Sequence, residues 1–278
     1  MAIITISRGS YSRGKEVAEA LAERLGYECI SRDILLAAST EFNIPEIRLV
    51  KALHDAPSVL ERFSHGRERF ISYLRSSLYN RVLRDNVVYH GLAGHFFLQA
   101  ISHVLKVRII ANMEDRIKEE VKRENCSADE ARYSLKKDDD ERRKWAMHLY
   151  GKDNKNCDLY DMVFHIDILS VDDVVDILEK TIKKDKFKAT PESREKLEKR
   201  ALLANIYAKI VNISPRASVE IDNGTVLLGN LEGRLKSDET VRRQIADSIV
   251  QTYGVEKVVF KNPVRSRRNH VNPFHNID

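Results

Sequence analysis

A glycine- and serine-rich segment near the N-terminus has the residue types and spacing of an anion-binding loop. Residues 9–15 read Gly-Ser-Tyr-Ser-Arg-Gly-Lys, so that four residues separate the two glycines and a lysine follows the second. With this spacing, backbone N–H groups can surround a phosphate at the start of a helix, and the lysine adds positive charge. Glu16 comes next, where a Ser or Thr hydroxyl usually binds Mg²⁺. The segment predicts a phosphate site, with an ordinary strand–turn–helix junction as the alternative.

A charged segment at 136–144, Lys-Lys-Asp-Asp-Asp-Glu-Arg-Arg-Lys, supplies a second group of candidate residues. On a helix, spacings of three and four residues place Lys137 beside Glu141 and Asp139 beside Arg142. Such a segment is typical of a solvated helix with salt bridges. It also suits phosphoryl transfer, because cationic side chains on a movable helix neutralise the charge that spreads over the transferred group. His90, which ends an apolar run, is a candidate substrate contact or a hydrogen-bonded structural residue.

Short apolar runs alternate with helical patterns and would position these groups. Strands are predicted at 2–7, 87–90, 104–111 and 160–166. The loop at 8–14 joins the first strand to a helix at 15–25, which Gly26 ends. The alternation predicts an α/β domain with a parallel sheet between two helical layers, and its opening is that of a P-loop domain.

A second, smaller α+β domain is predicted after a charged, unpatterned stretch at 183–190. Its order of helix, strand, strand, helix and strand falls at 192–210, 217–222, 225–229, 238–253 and 255–261. Asn223-Gly224 between two alternating runs indicates a hairpin. The predicted domains are 1–185, then 186–264 with a basic linker, and a disordered basic tail at 265–278.

The composition argues against several kinds of site and location. Cys29, Cys126 and Cys157 are scattered and lack metal-ligand spacing, which argues against a disulfide framework or a zinc site. No window approaches the roughly 20 apolar residues of a membrane helix, and the N-terminus lacks a signal-peptide pattern. We therefore predict a soluble, cytoplasmic protein.

The net charge of +5 arises in the last third of the chain, where 17 basic residues after position 185 face 11 acidic ones. Basic segments bind nucleic acid or anionic surfaces in some proteins, but more often they are simply solvated. Nucleic-acid binding through 265–278 is therefore a less favoured hypothesis than an activity at the predicted phosphate site.

Several motifs follow one another in a set order along residues 3–178. Residues 7–18 follow the pattern Ser-Arg-x-x-Gly-Ser-Gly-Gly-x-Glu-Ile-Ala, and Leu21–Tyr27 follow Leu-Ala-Glu-x-Leu-Gly-Tyr. Further matches are Arg32–Leu35 to Arg-Glu-Ile-Leu, Lys137–Arg142 to Lys-x-Asp-x-x-Arg, Tyr150–Asp153 to Tyr-Gly-x-Asp, and Tyr160–Val163 to Tyr-Asp-Leu-Val. In order and spacing these motifs resemble the cytidylate kinase-like family, a branch of the nucleoside monophosphate kinases.

The resemblance implies transfer of a phosphoryl group from ATP, with Mg²⁺, to a nucleoside monophosphate such as CMP. It assigns the ATP site to Arg8, Gly9, Ser10, Ser12, Arg13, Gly14 and Lys15. Ser12 is the candidate protein contact for Mg²⁺, which the nucleotide itself would otherwise hold. The implied catalytic residues are Lys15 and three residues of a lid helix that closes over the phosphates, namely Lys137, Asp139 and Arg142. The implied substrate contacts are Arg32, Asp33 and His90.

The chain departs from the family pattern at functional positions. Tyr11 and Arg13 replace glycines, so their side chains are predicted to crowd a loop whose backbone must approach phosphate. Lys15 lies one place beyond the usual phosphate lysine, an arginine expected after the strand at 87–90 is missing, and His165-Ile166 replaces a small polar pair. A second hypothesis is therefore a binding or regulatory protein with a catalytically degenerate kinase fold.

Residues 192–262 resemble the BON domain, a small α-β-β-α-β module. The resemblance rests on Ser218–Gly233 and on Tyr253–Val259, which match Val-x-Val-x-x-Gly-x-Val-x-Leu-x-Gly and a closing Gly-Val-x-x-Val. It implies an interaction or dimerisation module, with ligand sensing or membrane-surface binding as the alternative. The one tryptophan, Trp145, lies in the lid-like segment, so the module has no aromatic anchor for a membrane.

Overall fold

The computed structural model describes residues 2–31, 34, 38, 40, 66–91 and 94–261. The chain divides into two compact units, Met1–Ala208 and Lys209–Asp278. This division falls inside the helix Pro191–Ile210, so most of that helix belongs to the first unit. The domain limits predicted from the sequence stay predictions, and the tail at 265–278 lies outside the described residues.

The first unit contains a five-stranded sheet in which every neighbouring pair is parallel. Its strands are β1 (Ile3–Arg8), β2 (Glu28–Ile30), β3 (Val87–His90), β4 (Val104–Ala111) and β5 (Met162–Ile166), in the spatial order β2-β3-β1-β4-β5. The parallel α/β prediction is confirmed. Strand β2 was not predicted, because three residues are too few to show alternation.

Seven helices of the first unit lie among the described residues. They are α1 (Gly14–Leu25), α2 (Gly66–Val82), α3 (Gly94–Phe97), α4 (Met113–Glu124), α5 (Ala128–Tyr150), α6 (Val171–Ile182) and α7 (Pro191–Ile210). Local signals fix several ends: Ser127 forms a capping box with Glu130 at the start of α5, and Gly26 ends α1 in the left-handed conformation. Short 3₁₀ turns lie at Cys157–Leu159 and Asp185–Phe187.

The core of the first unit forms where α1 and α6 cover the central strands. Leu21 of α1 and Leu178 of α6 are fully buried together with Ile4, Val107 and other strand residues. A parallel sheet covered by helices buries both of its faces, which explains why five consecutive residues of β1, Ile3–Ser7, are buried. Because β1 and β4 are parallel, their carboxyl ends lie at the same edge of the sheet, where polar loops can converge.

Helix α7 is attached to the first unit by polar contacts along its length. The His103 ring nitrogen Nδ1 lies 2.8 Å from Ser193 Oγ, and Arg194 pairs with the buried Asp85. Further along, Asn205 Nδ2 donates to Asn80 Oδ1 at 2.8 Å. These contacts explain why the helix belongs to the first unit although its pattern resembles the start of the second domain.

The second unit contains β6 (Ser218–Asp222) and β7 (Thr225–Gly229), which form an antiparallel hairpin, and β8 (Lys257–Phe260), which pairs in parallel with β7. Helices α8 (Gly233–Ser237) and α9 (Glu239–Tyr253) connect β7 to β8. Asn223 and Gly224 have φ angles of 43° and 73°, as the predicted hairpin turn requires. Across the described part of the chain, no helix is both long and apolar enough to cross a bilayer.

Candidate functional site

The loop between β1 and α1 keeps a glycine-like backbone although two of its residues are bulky. Tyr11 and Arg13 have φ angles of 53° and 60°. These lie in the left-handed region, which costs a residue other than glycine about 1–2 kcal/mol. Gly14 is required sterically, since a Cβ there would lie 2.7 Å from the Cβ of Arg8. Arg13 is the N-cap of α1 without a side-chain capping bond, so first-turn N–H groups are left for another acceptor.

The two bulky side chains turn away from the loop. Tyr11 packs against a small apolar cluster on α4 and α5, and burial together with a hydrogen bond to Glu120 raises the pKa of its phenol to about 12. Arg13 is exposed and binds Glu16 with an Nη2–Oε2 distance of 2.8 Å. Neither residue lines the cavities beside the loop, so the predicted crowding does not occur there.

Arginines from four different elements surround the loop instead. Arg8 ends β1, Arg108 lies on β4, Arg116 on α4 and Arg142 on α5. All four line one cavity of about 310 Å³ together with Gly9, Ser12 and Asp139. This concentration of positive charge is suited to a polyphosphate.

Arg8 and Arg142 are held close to one another. Arg142 Nη1 donates to the carbonyl oxygen of Arg8 at 3.0 Å. Burial, followed by the charge of Arg142, lowers the pKa of the Arg8 guanidinium, and burial also lowers the pKa of Arg142, although Asp138 and Asp139 oppose that effect. Within the described residues, the buried Nε of Arg8 has no hydrogen-bond partner. Two neighbouring, partly buried cations, one with an unused buried donor, are a favourable place for an anion.

Helix α5 is attached to the loop through its acidic residues. Asp139 accepts two hydrogen bonds from Arg116, at 2.8 and 3.0 Å, and Arg116 Nε donates to the carbonyl oxygen of Ser10 at 2.6 Å. The Ser10 hydroxyl donates to Asp138 Oδ2 at 3.0 Å. Arg116 therefore connects the lid-like helix to the loop backbone.

A second cavity, of about 390 Å³, lies on the other side of Arg8 and Arg142. Its walls come from the end of β1, α2, Gly91, α3 and α5, and they include Phe70, Phe96, Trp145 and Tyr150. Arg8, Arg142 and Asn154 line both cavities. The arrangement offers one chamber rich in arginines, one rich in aromatic rings, and a cationic junction between them.

Hydrogen bonds connect several side chains next to this junction. The Tyr160 hydroxyl donates to the Asn154 carbonyl oxygen at 2.8 Å and lies 3.3 Å from His95 Nε2, and Arg108 Nη1 donates to Ser7 Oγ at 3.2 Å. Burial, with a smaller contribution from Arg108, lowers the pKa of His95 to about 3. His95 is therefore neutral at physiological pH.

The structure brings together some of the predicted site residues and not others. Arg8, Gly9, Ser12 and Arg142 line the cavities with Asp139, while Lys137 lines the aromatic chamber. Ser10 and Gly14 lie in the loop itself, with Ser10 bonded to Asp138. Lys15 lies on the exposed side of α1, with Nζ 3.6 Å from Glu19, and His90 is buried at the end of β3. Arg32 and Asp33 lie outside the described residues.

The sequence-based prediction did not include Arg108 and Arg116. A signal for Arg116 exists in α4, because Arg116 and Glu120 are four residues apart and share the buried face with Ile117. A charged pair on the apolar face of a helix indicates a polar site beneath it. Arg108 gives no comparable signal, since one basic residue in a strand is common.

No cluster of three or more histidine, cysteine or acidic residues could hold a metal ion, as far as the structure describes the chain. Ser12 Oγ lies 3.0 Å from the carbonyl oxygen of Gly9 and 3.1 Å from that of Ile109, and it donates its one hydrogen to one of them. Because its oxygen lone pairs remain available and it lines the arginine chamber, Ser12 fits a contact to a nucleotide-bound Mg²⁺.

Comparison with known proteins identifies a matching family and a solved structure with a similar fold. The sequence profile described as "Cytidylate kinase-like family" matches residues 3–168. No curated protein sequence matches the chain. An uncharacterized protein from Eubacterium ventriosum ATCC 27560 superposes with a TM-score of 0.51 at 18% identity, over 66% of this chain and 99% of its own.

Two shikimate kinases are more distant matches. The enzyme from Bacteroides thetaiotaomicron has a TM-score of 0.40 at 14% identity, over 66% of this chain and 99% of its own. The enzyme from Acinetobacter baumannii, solved in complex with shikimate, has a TM-score of 0.39 at 14% identity, over 68% of this chain and 96% of its own.

Proposed function

Since residues 3–168 match its profile, the chain belongs to the cytidylate kinase-like family, and we propose that it transfers the γ-phosphoryl group of ATP to a nucleoside monophosphate or a related small acceptor. The observation that carries the proposal is the position of Arg8 and Arg142 at the junction of the two cavities. A phosphoryl group that passes from a donor in one chamber to an acceptor in the other must pass this pair.

The arginine chamber is the proposed donor site. Arg116 and Arg108 bind the polyphosphate from the side of α4 and β4, and the backbone N–H groups of the loop contribute at the start of α1. Arg8 and Arg142 neutralise the charge that develops on the transferred group. Because the Arg142 guanidinium is already oriented by its hydrogen bond to the Arg8 carbonyl oxygen, little reorganisation of this group is needed when that charge appears.

Residues of α5 close the site in this proposal. Asp139 holds the helix against the loop through Arg116, and Lys137 contributes its charge from the mouth of the aromatic chamber. Mg²⁺ bound with ATP would supply further charge neutralisation, with Ser12 as its protein contact.

A catalytically degenerate ligand-binding protein is the second candidate. The observation that favours it is the placement of Lys15 and Arg13 on the surface, paired with Glu19 and Glu16, so that neither of these two side chains lines the chambers. In this alternative the arginine cluster binds nucleotide without transferring a phosphoryl group.

A coupled assay of ADP formation, run with ATP, Mg²⁺ and each common nucleoside monophosphate, separates the two candidates. Phosphoryl transfer predicts ADP formation that depends on one acceptor, whereas binding alone predicts nucleotide-induced thermal stabilisation without ADP.

Substitution of Arg142 tests the proposed transition-state role. Arg142→Ala should lower kcat about 10²–10³-fold, because it removes a fixed donor at the transferred group. Arg143→Ala is the matched control, since Arg143 is half exposed and binds Asp153 at 2.8 Å, outside both chambers. Equal rates for the two variants would contradict the assignment of Arg142.

We propose in addition that the second unit is a BON-like interaction module through which chains associate. The order α7, β6, β7, α9 and β8 supports this proposal, with α8 as an additional short helix and with most of α7 in the first unit. Sedimentation of the full chain over a range of concentrations tests it, and a monomer at all concentrations would refute association.

A further inference from the structure

Two residues of α5 line the aromatic chamber without taking part in the proposed transfer. Glu141 and Trp145 are four residues apart, so they lie on one face of the helix. Trp145 is only 5% exposed, although an indole N–H usually reaches a hydrogen-bond partner when it is buried.

Each of these side chains has one buried polar atom without a partner. Trp145 Nε1 and Glu141 Oε2 form no hydrogen bond with any described residue of the chain. Nearly all buried polar groups in proteins are hydrogen-bonded, and exceptions call for an explanation. The other carboxylate oxygen of Glu141 forms an exposed ion pair with Lys144 at 3.3 Å, which contributes little to the position of the side chain.

The chamber around these two atoms is shaped for a flat ring. Phe70 packs edge-on to Trp145 with a centroid distance of 5.2 Å, and Phe96 stacks on Tyr150 at 4.4 Å and 21°. Such walls suit a planar ligand, and a few unpaired polar atoms among them fix its orientation. Arg8 and Arg142 also line this chamber, where they would attract an anionic or reacting group.

We propose that Glu141 and Trp145 determine the acceptor specificity by binding the polar edge of a planar nitrogen heterocycle. Glu141 Oε2 accepts a hydrogen bond from a ring or exocyclic N–H, and Trp145 Nε1 donates to the neighbouring acceptor atom. The heterocycle lies among the aromatic rings and its receiving group points toward Arg142. This inference rests on the proposed function insofar as it treats the ligand of the chamber as the acceptor.

Fluorescence provides a direct readout, because Trp145 is the only tryptophan of the chain. The full-length protein is titrated with AMP, CMP, GMP and UMP, and with ribose 5-phosphate, which carries the phosphate without a ring. At least one nucleotide should change the emission in a saturable way. Ribose 5-phosphate should bind at least tenfold more weakly, since it cannot pair with Glu141 and Trp145.

Glu141→Gln tests the hydrogen-bonding atom itself. It should weaken binding of the preferred nucleotide about tenfold, because a charge-assisted bond is about twice as strong as a neutral one. Lys144→Ala is the control, since it removes only the exposed partner of Glu141 and should leave affinity unchanged. If Glu141→Gln loses its fold by circular dichroism, Trp145→Phe takes its place, with KM for the acceptor as the readout and a tenfold rise expected.

The outcomes separate this inference from the proposed function. Base-dependent fluorescence changes without ADP formation would refute phosphoryl transfer but support the recognition site. ADP formation together with unchanged affinity in Glu141→Gln, or unchanged KM in Trp145→Phe, would overturn the recognition site alone. Equal affinity for ribose 5-phosphate, or no response to any nucleotide, would overturn it as well.

Discussion

His95 is a buried histidine whose protonation opposes folding. Its ring lies between those of Phe96 and Tyr160, with centroid distances of 4.0 and 4.9 Å. Burial lowers its pKa from 6.5 to about 3, so below pH 6.5 the unfolded chain takes up a proton that the folded chain does not. The contribution to stability is therefore zero above pH 6.5 and becomes increasingly unfavourable as the pH falls toward 3.

Replacing His95 by glutamine should flatten the pH dependence of stability. The wild-type free energy of unfolding, measured with urea from pH 7.5 to 4.5, should fall more steeply than that of His95→Gln, by up to about 1.4 kcal/mol per pH unit. His165→Gln, at an exposed position on β5, is the control and should follow the wild-type curve. Parallel curves for wild type and His95→Gln would show that His95 is not protonated selectively in the unfolded chain.

Two ion pairs join helices α4 and α5, and they differ in burial. In the pair Arg116–Asp139 the side chains are 8% and 24% exposed, whereas in the pair Arg132–Glu114 they are 40% and 67% exposed. Both pairs have N–O distances of 2.8 Å. Arg116 binds Asp139 through two nitrogens, whereas Arg132 binds Glu114 through one. The difference in burial and the bidentate geometry both give the Arg116–Asp139 pair the larger energetic weight.

Asp139→Asn should destabilise the first unit by about 3 kcal/mol, at the lower end of the range for a buried pair, because it leaves the Arg116 charge uncompensated. Glu114→Gln should cost no more than about 1 kcal/mol. Urea unfolding at low and high salt measures both, and only the exposed pair should respond strongly to salt. Similar losses in the two variants would mean that Asp139 does not hold α5 to the loop.

Elements with a clear apolar pattern could be predicted from the sequence, and so could part of the site, but Arg108 and Arg116 were missed. Strands β1, β3 and β4 and helix α1 were predicted closely, because each has a clear apolar pattern or a local end signal. The arginine cluster could not be predicted, since Arg8 and Arg116 are over one hundred residues apart and meet only through the sheet order.

Sequence patterns also misjudged the loop side chains, for a physical reason. Tyr11 and Arg13 replace glycines and were expected to obstruct the loop, yet both adopt the left-handed backbone. This conformation directs the Tyr11 ring toward Ile117 and Leu135. Whether a bulky residue obstructs a loop depends on whether a neighbouring apolar cluster can accommodate it, and such a cluster comes from distant segments.

On the scale of the whole molecule, a ligand of the chambers should stabilise one unit and not the other. The residues that line the two cavities, including Trp145, belong to the first unit, Met1–Ala208. The second unit has a separate three-stranded sheet. A ligand that binds only a folded unit stabilises that unit by mass action, about 2.7 kcal/mol at one hundred times its Kd. Two units with their own cores can melt in separate transitions.

ATP with Mg²⁺ at one hundred times Kd should therefore raise the Tm of the Trp145 fluorescence transition by about 5–10 °C, given the size of the first unit. The portion of the circular dichroism signal that comes from the second unit should melt at an unchanged temperature. Arg142→Ala should lose most of the shift, whereas Arg143→Ala should keep it, because only Arg142 lines the chambers. A single transition that moves as a whole in both signals would show instead that the two units unfold together and that binding at the loop stabilises the entire chain.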